Sequence, residues 1–290
     1  MVKRVKVAKK VEFRAGKKAD SITIQSVIER PKPHVEEIII YGLVLLFLII
    51  GTYSRNRIWN DQITLWIDCI KKSPNKARPY FNLGVALFGQ GRYEEAIVHY
   101  KESLRINPNS PEPHNDIGLA LVHLGKYQEA IVHWEEALRI NSDFADAHNN
   151  LGTALSHLGK YEEAARHYRE ALRIKPDSPD AHNNLGAEMK RLGRYEEAIA
   201  HFTEALKIKP DYAEARGNLG NIFSELGRVE EAIAQYNEAL RIKPDFAEVR
   251  FSLALAYLRV GNRDSAMKEY EILKKANPDL ANQLHSEIYK

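Results

Sequence analysis

Seven histidines fall into two series that share one period. His99, His133, His167 and His201 recur every 34 residues, and so do His114, His148 and His182. Imidazole is a common metal ligand and titrates near neutral pH, so such series invite a metal or acid–base reading. Within each series, however, neighbours stand a full period apart, whereas a metal needs its ligands within bond reach of one ion. The histidines are therefore expected to be repeat residues in packing or surface positions, with no metal. Adjacent carboxylates, such as Glu94-Glu95 and Glu162-Glu163, fall where helices should begin and there favour the helix dipole. They read as structural, not as an acid–base dyad. The chain has no phosphate-cradling Gly-rich loop, no Gly-x-Ser-x-Gly, no paired-Cys zinc pattern and no His-Glu-x-x-His. No catalytic residue and no cofactor is expected. A third series is chemically more useful: Asn82, Asp116, Asn150, Asn184, Asn218 and Ser252, flanked by Asn115, Asn149 and Asn183. An amide side chain offers both donor and acceptor, which suits it to a polypeptide main chain.

The elements that position these residues are written six times. Leu83-Gly84, Ile117-Gly118, Leu151-Gly152, Leu185-Gly186, Leu219-Gly220 and Leu253-Ala254 each follow the last by 34 residues. A second glycine recurs at Gly91, Gly125, Gly159, Gly193, Gly227 and Gly261, where a first helix must stop and the chain turn back. Small Ala96, Ala130, Ala164, Ala198, Ala232 and Ala266 suit a helix-pair contact. Tyr100, Trp134, Tyr168, Phe202, Tyr236 and Tyr270 are expected to fill the space between repeats. Pro108, Pro176, Pro210, Pro244 and Pro278 end the units. Pairs such as Asp143-x-x-Asp146, Asp177-x-x-Asp180, Asp211-x-x-Glu214 and Asp245-x-x-Glu248 read as capping-box-like starts.

This pattern resembles the tetratricopeptide repeat, a helix-turn-helix unit that stacks into a solenoid. The resemblance covers residues 73–278, as six repeats: 73–108, 109–142, 143–176, 177–210, 211–244 and 245–278. It implies an all-α, right-handed α-solenoid. Residues 279–290, with Leu280, Leu284 and Ile288 on one stripe, suit a C-terminal capping helix.

In such arrays the first helices line a concave groove and the residue before Leu-Gly points into it. The resemblance therefore puts the asparagine row in a groove, with Thr153, Ser156 and His157 a turn onward. The candidate peptide-binding residues are Asn82, Asn149, Asn150, Asn183, Asn184, Asn218, Asn221, Lys190 and Arg191. Ala147-His-Asn-Asn-Leu-Gly152 and its copy at 181–186 also resemble repeats of the O-linked N-acetylglucosamine transferases, whose groove is asparagine-lined. Four residues before each row position stand Arg78, Glu112, Asp146, Asp180, Glu214 and Glu248. That is five acids out of six, which would repel the terminal carboxylate that chaperone-tail clamps of this family hold.

Upstream, Ile38 to Ser54 is an uncharged apolar run, at the short end of the roughly 17–25 residues that span a bilayer. It is expected to be a single transmembrane helix, since the rest of the chain is too polar to surround it. Residues 55–72 follow as a junction: Trp59, Trp66, Cys69 and Pro74 fall in register with Tyr93, Tyr100, Ser103 and Pro108, a lone second helix of a repeat. Cys69 would then be a buried packing residue. Arg55-Asn-Arg-Ile-Trp59-Asn-Asp61, Thr64-Leu-Trp66 and Lys72-Ser-Pro74 resemble the membrane–repeat junction of polytopic bacterial membrane proteins. Those are similar to the transmembrane protein O-mannosyltransferases of animals, whose chemistry belongs to a multi-span domain. Only one span is visible here, so no catalytic residue carries over.

Charge divides the chain in the same place. Residues 1–72 hold fourteen Lys/Arg and seven Asp/Glu, and residues 73–278 hold twenty-seven and thirty. The basic excess sits in the tail 1–37, expected to be disordered, so it gives no nucleic-acid surface on the repeats. Ten Lys/Arg before the run favour a cytoplasmic N-terminus and extracytoplasmic (periplasmic) repeats, although Arg55, Arg57, Lys71 and Lys72 just after it weigh the other way. The expected function is a membrane-anchored scaffold that binds protein or extended peptide partners in its groove. Two alternatives stand beside it: a substrate-targeting part of a membrane glycosyltransferase, and an adaptor for assembly of an envelope or secretion complex.

Overall fold

The structure, a computed structural model, describes residues 61–289 together with Leu43, Leu45 and Leu46. The basic tail, residues 55–60 with Trp59, and all but those three leucines of the apolar run lie outside the described residues. The three leucines are helical and exposed. Among the described residues no helix is long and apolar enough to cross a membrane. The chain divides into residues 1–65 and residues 66–290.

Helix α1 is Gln62–Lys72. Asp61 caps it, its carboxylate accepting from the N–H groups of Ile63 at 3.2 Å and Thr64 at 3.3 Å. None of its residues is buried, so Cys69 is only half-buried, contrary to the packing burial expected of it.

From Ala77 onward the described chain is a run of helix pairs. They are α2 (Ala77–Gly89) with α3 (Tyr93–Ile106), α4 (Pro111–His123) with α5 (Tyr127–Ile140), and α6 (Ala145–His157) with α7 (Tyr161–Ile174). Then come α8 (Pro179–Arg191) with α9 (Tyr195–Ile208), α10 (Ala213–Glu225) with α11 (Val229–Ile242), and α12 (Ala247–Arg259) with α13 (Arg263–Ala276). Each first helix ends the same way. At the first pair, Arg92 N–H donates to Leu87 O at 3.0 Å and Gly91 N–H to Phe88 O at 2.9 Å. This double closure needs a left-handed residue, and the six turn glycines hold φ of 72–76°.

The two helices of a pair close on glycine against an aromatic ring. A Cβ at Gly118 would stand 2.5 Å from Trp134, and one at Gly152 would stand 2.8 Å from Tyr168. Tyr100, Trp134, Tyr168, Phe202 and Tyr236 thus press on the glycine of their own repeat, where the sequence suggested a role between repeats. The first helices of successive repeats touch one another, while the second helices of successive repeats do not. The first-helix side is therefore the inner side of the curve. At the far end α14 (Pro278–Ile288) buries Ala281, Leu284 and Ile288 against Ala254 and Leu273, with Leu280 partly buried beside them.

The capping boxes are not formed. The residue before α6 is Phe144, before α10 Tyr212 and before α12 Phe246, all without a side-chain cap. Among the six first helices only α8 has a side-chain cap, Ser178 accepting from Ala181 N–H. The acidic pairs sit one residue too early to cap, and Pro or the preceding turn fixes the helix start instead.

Candidate functional site

Each Leu-Gly pair must face the second helix, so the residues just before it turn toward the inner side of the first helix. There the asparagines bond from one repeat to the next. Asn150 Nδ2 donates to Asn115 Oδ1 at 2.9 Å, Asn184 to Asn149 at 3.2 Å, and Asn218 to Asn183 at 3.1 Å. The rungs join residues 35 apart, one period plus one, a register that the aligned row alone did not reveal. Asn82 makes no rung with any described residue.

An amide carries two N–H donors and a carbonyl. In each rung the upper residue uses one N–H and the lower residue its carbonyl. Asn150, Asn184 and Asn218, all half-buried, each keep one N–H and the whole Oδ1 outside the ladder. Their orientation is fixed by the rung. The lowest rung is anchored in the core: Asn115 is 7% exposed, and its main-chain oxygen accepts from Trp134 Nε1 at 3.1 Å. Its own amide donates to Asp116 at 3.1 Å. Burial pushes the Asp116 carboxyl up to about 6, the Asn115 bond opposing and the Glu112 charge adding to it.

A second row of inter-repeat contacts runs one to two turns along the same helices. Lys190 pairs with Glu225 at 2.9 Å, and Arg259 donates to Ser224 Oγ at 2.8 Å. Arg191 donates to Ser156 Oγ at 2.7 Å and to Glu188, and lies 5.4 Å from the centre of the Tyr161 ring. Within single repeats, Asn221 accepts from Tyr236 Oη at 2.8 Å, and Thr153 accepts from Tyr168 Oη at 3.1 Å. Lys190, Arg191 and Asn221 are thus tied to their neighbours, while the ladder residues retain open polar groups. Outside the ladder, Glu112, Asp146, Asp180, Glu214 and Glu248 are all exposed. Tyr212 donates to Asp180 at 2.8 Å and Lys243 pairs with Glu214 at 3.3 Å.

The histidine series are not independent. They are offset by nineteen residues, which brings one member of each onto the two facing helices of a repeat. Nδ1 meets Nδ1 at 3.1 Å for His114–His133, 3.0 Å for His148–His167 and 3.1 Å for His182–His201. The spacing argument treated each series alone and so missed these pairs, although the offset is legible in the numbering. His148 and His182 point Nε2 at main-chain oxygens of Ser142 and Pro176, at 3.2 and 3.1 Å. A carbonyl only accepts, so those Nε2 atoms carry the proton and their Nδ1 atoms accept. His167 and His201 must then donate from Nδ1. Burial lowers the pKa of His114, His133, His167 and His201, His133 to about 4, and for the last three the facing histidine adds to it. Among the described residues no group of three or more His, Cys, Asp or Glu is arranged to hold a metal.

Comparison with known proteins bears on this architecture. A family model described as TPR repeat matches residues 86–125 and 220–261, and two described as tetratricopeptide repeat match 111–177, 143–211 and 201–234. Together they run without a break from residue 86 to residue 261. The chain is 29% identical over 65 residues to the protein O-mannosyl-transferase Tmtc3 of Drosophila melanogaster, which covers 22% of this chain and 7% of that protein. Among solved structures, the Cut9–Hcn1 hetero-tetramer of APC/C gives a TM-score of 0.70 at 20% identity, covering 80% of this chain and 46% of that one. Pseudomonas aeruginosa pilF gives 0.66 at 20% identity, covering 73% and 97%. At these identities the solved structures speak for the fold. The glycine-on-aromatic pairs, the left-handed turn glycines and the unbroken family match agree: the chain belongs to the tetratricopeptide repeat family.

Proposed function

We propose that this protein is a membrane-anchored scaffold that holds an extended polypeptide segment along the inner side of its first helices. The observation that carries the reading is the ladder. Asn150, Asn184 and Asn218 each present one N–H and one carbonyl at a fixed angle, one set per repeat. An extended main chain offers the complementary acceptor and donor at every second residue. Fixing the amides beforehand lowers the ordering cost of binding. The exposed acids beside the ladder make a terminal carboxylate a poor ligand.

The anchor in this reading is the uncharged run 38–54, supported by the exposure of Leu43, Leu45 and Leu46 in helical conformation. The basic tail before it favours repeats on the extracytoplasmic side. A second reading draws on the Tmtc3 match and the junction around Trp66. In it, the array presents substrate polypeptide to a membrane glycosyltransferase carried on another chain.

The test is site-specific photocrosslinking of the full chain in its host. A crosslinker at Ala187, on the inner side of α8, is expected to capture a discrete partner, whereas one at exposed Ala200 on α9 is not. Equal capture from both positions, or none from Ala187, would remove the groove reading. A glycosyltransferase recovered alongside the substrate would favour the second reading.

A further inference from the structure

The third repeat departs from the others on its second helix. At the position of Arg166 the other repeats carry Val98, Val132, Ala200, Ala234 and Lys268, and at that of Arg169 they carry Lys101, Glu135, Thr203, Asn237 and Glu271. Only this repeat has an arginine at both. The two guanidinium groups line one open cleft together with His148, His167 and Glu170. Its volume, about 360 Å³, far exceeds the ~30 Å³ share of one water.

The charge in this cleft is not balanced locally. Arg166 makes no hydrogen bond or ion pair with any described residue, and Arg169 reaches only Met189 Sδ at 3.6 Å. The carboxylate of Glu170 is engaged by Arg173 Nε at 2.7 Å, and Asp143 binds the same arginine at 2.7 Å. Two guanidinium groups without a counter-ion exclude a metal cation and favour an anion, and their planar forks match tetrahedral oxyanions. His167 adds a conditional donor. Its Nδ1–H is directed to His148, which leaves Nε2 to take up a proton without breaking the pair.

We propose that Arg166 and Arg169 bind a tetrahedral oxyanion of the phosphate type in this cleft, with the protonated Nε2 of His167 as a third donor in mildly acidic solution. Burial opposes the protonation of His167 most; of the groups facing it, His148 and Arg166 oppose it as well, and Glu163 and Glu170 favour it. A bound dianion offsets the two arginines, so binding and proton uptake reinforce each other. None of these residues belongs to the asparagine ladder, so this site stands or falls independently of the groove.

Equilibrium dialysis of the full chain in detergent tests this, with sulfate as the probe because its charge is constant between pH 5.5 and 8. Inorganic phosphate and acetate serve as comparison arms. One saturable site per chain is expected for sulfate and phosphate, several-fold tighter at pH 5.5 than at pH 8 for sulfate, and absent for acetate. Arg166→Gln with Arg169→Gln should weaken it about ten-fold or more at unchanged helicity, both side chains being exposed. His167→Gln should retain binding at pH 8 and lose the gain at pH 5.5. Unchanged binding in the arginine double variant, no saturable site, or equal binding of acetate would overturn the site. A pH gain that survives His167→Gln would overturn the role of the imidazole.

Discussion

His148 and His167 face each other from the two helices of one repeat, Nδ1 to Nδ1 at 3.0 Å, and the repeats on either side copy the arrangement. A neutral pair needs one donor and one acceptor, so the interface is suited to uncharged rings.

That sets a pH dependence of stability. In the folded chain His99, His114, His133, His167 and His201 all have lowered pKa values, burial being the largest cause, and His133 falls to about 4. Unfolded histidine titrates near 6.5. Below that pH the unfolded chain binds more protons, so the contribution is complete above roughly pH 6.5 and is lost as pH falls toward 4. Asp116 acts in the opposite sense: its carboxyl is raised to about 6, so its contribution grows as pH falls through that value. With five histidines against one aspartate, the melting temperature is expected to drop between pH 7.5 and pH 5. Replacing His133, His167 and His201 together by Gln should flatten the profile. A profile equally steep in the triple variant would show that other groups set it.

Gly118 and Gly186 allow a graded packing test. A Cβ at Gly118 would meet Trp134 at 2.5 Å, and Trp134 is held by its bond to the Asn115 main-chain oxygen. At Gly186 the obstacle is Phe202 at 2.9 Å, a ring with no polar tether. Overpacking costs typically about 1–3 kcal/mol, offset by up to roughly 1 kcal/mol of helix propensity on going from Gly to Ala. Gly118→Ala should therefore lower the urea midpoint clearly more than Gly186→Ala. Equal midpoints would mean that the indole shifts freely.

Glu188 is a carboxylate where other repeats have Ala86, Ala120, Ala154, Ile222 and Ala256. It is 2% exposed; Oε1 accepts from Ser156 at 2.7 Å and from Arg191, while Oε2 has no partner among the described residues. Glu188→Ala leaves behind a half-exposed arginine that water can solvate, so it should be neutral or stabilising. Arg191→Ala instead strands the buried carboxylate and should cost about 1–3 kcal/mol. Denaturation curves showing the reverse order would contradict this account of the pair.

Much of this was legible in the sequence because each repeat position has one physical job. Gly91 and its copies foretold the left-handed turn, and Gly84 and its copies foretold a close contact. The bonds between series were not legible from a list of equivalent positions. The Asn150–Asn115 rung joins residues 35 apart and the His148–His167 pair joins residues 19 apart. Neither is a multiple of the period, since both join different positions of the repeat. Asp143-x-x-Asp146 misled because a cap depends on backbone geometry at one residue, and here Phe144 holds that place.

The central claim is that the outward amides of the ladder hold a polypeptide main chain. Two triple variants separate that role from the coupling of repeats. Both Asn150, Asn184 and Asn218→Ala, and Asn115, Asn149 and Asn183→Ala, break all three rungs, but the first set removes an open N–H and an open carbonyl at every rung, whereas the second removes the open N–H groups of Asn149 and Asn183 and no open carbonyl. The measurement is the affinity of each for the segment captured at Ala187, at equal helicity. At about 0.5–1.5 kcal/mol per hydrogen-bonding residue, the first set should lose roughly 1.5–4.5 kcal/mol if the effects add, which is about ten- to two-thousand-fold. The second set, which loses the fixed orientation but keeps every open carbonyl, should lose clearly less than the first. Parental affinity in the first set would contradict the account, and so would an equal loss in both.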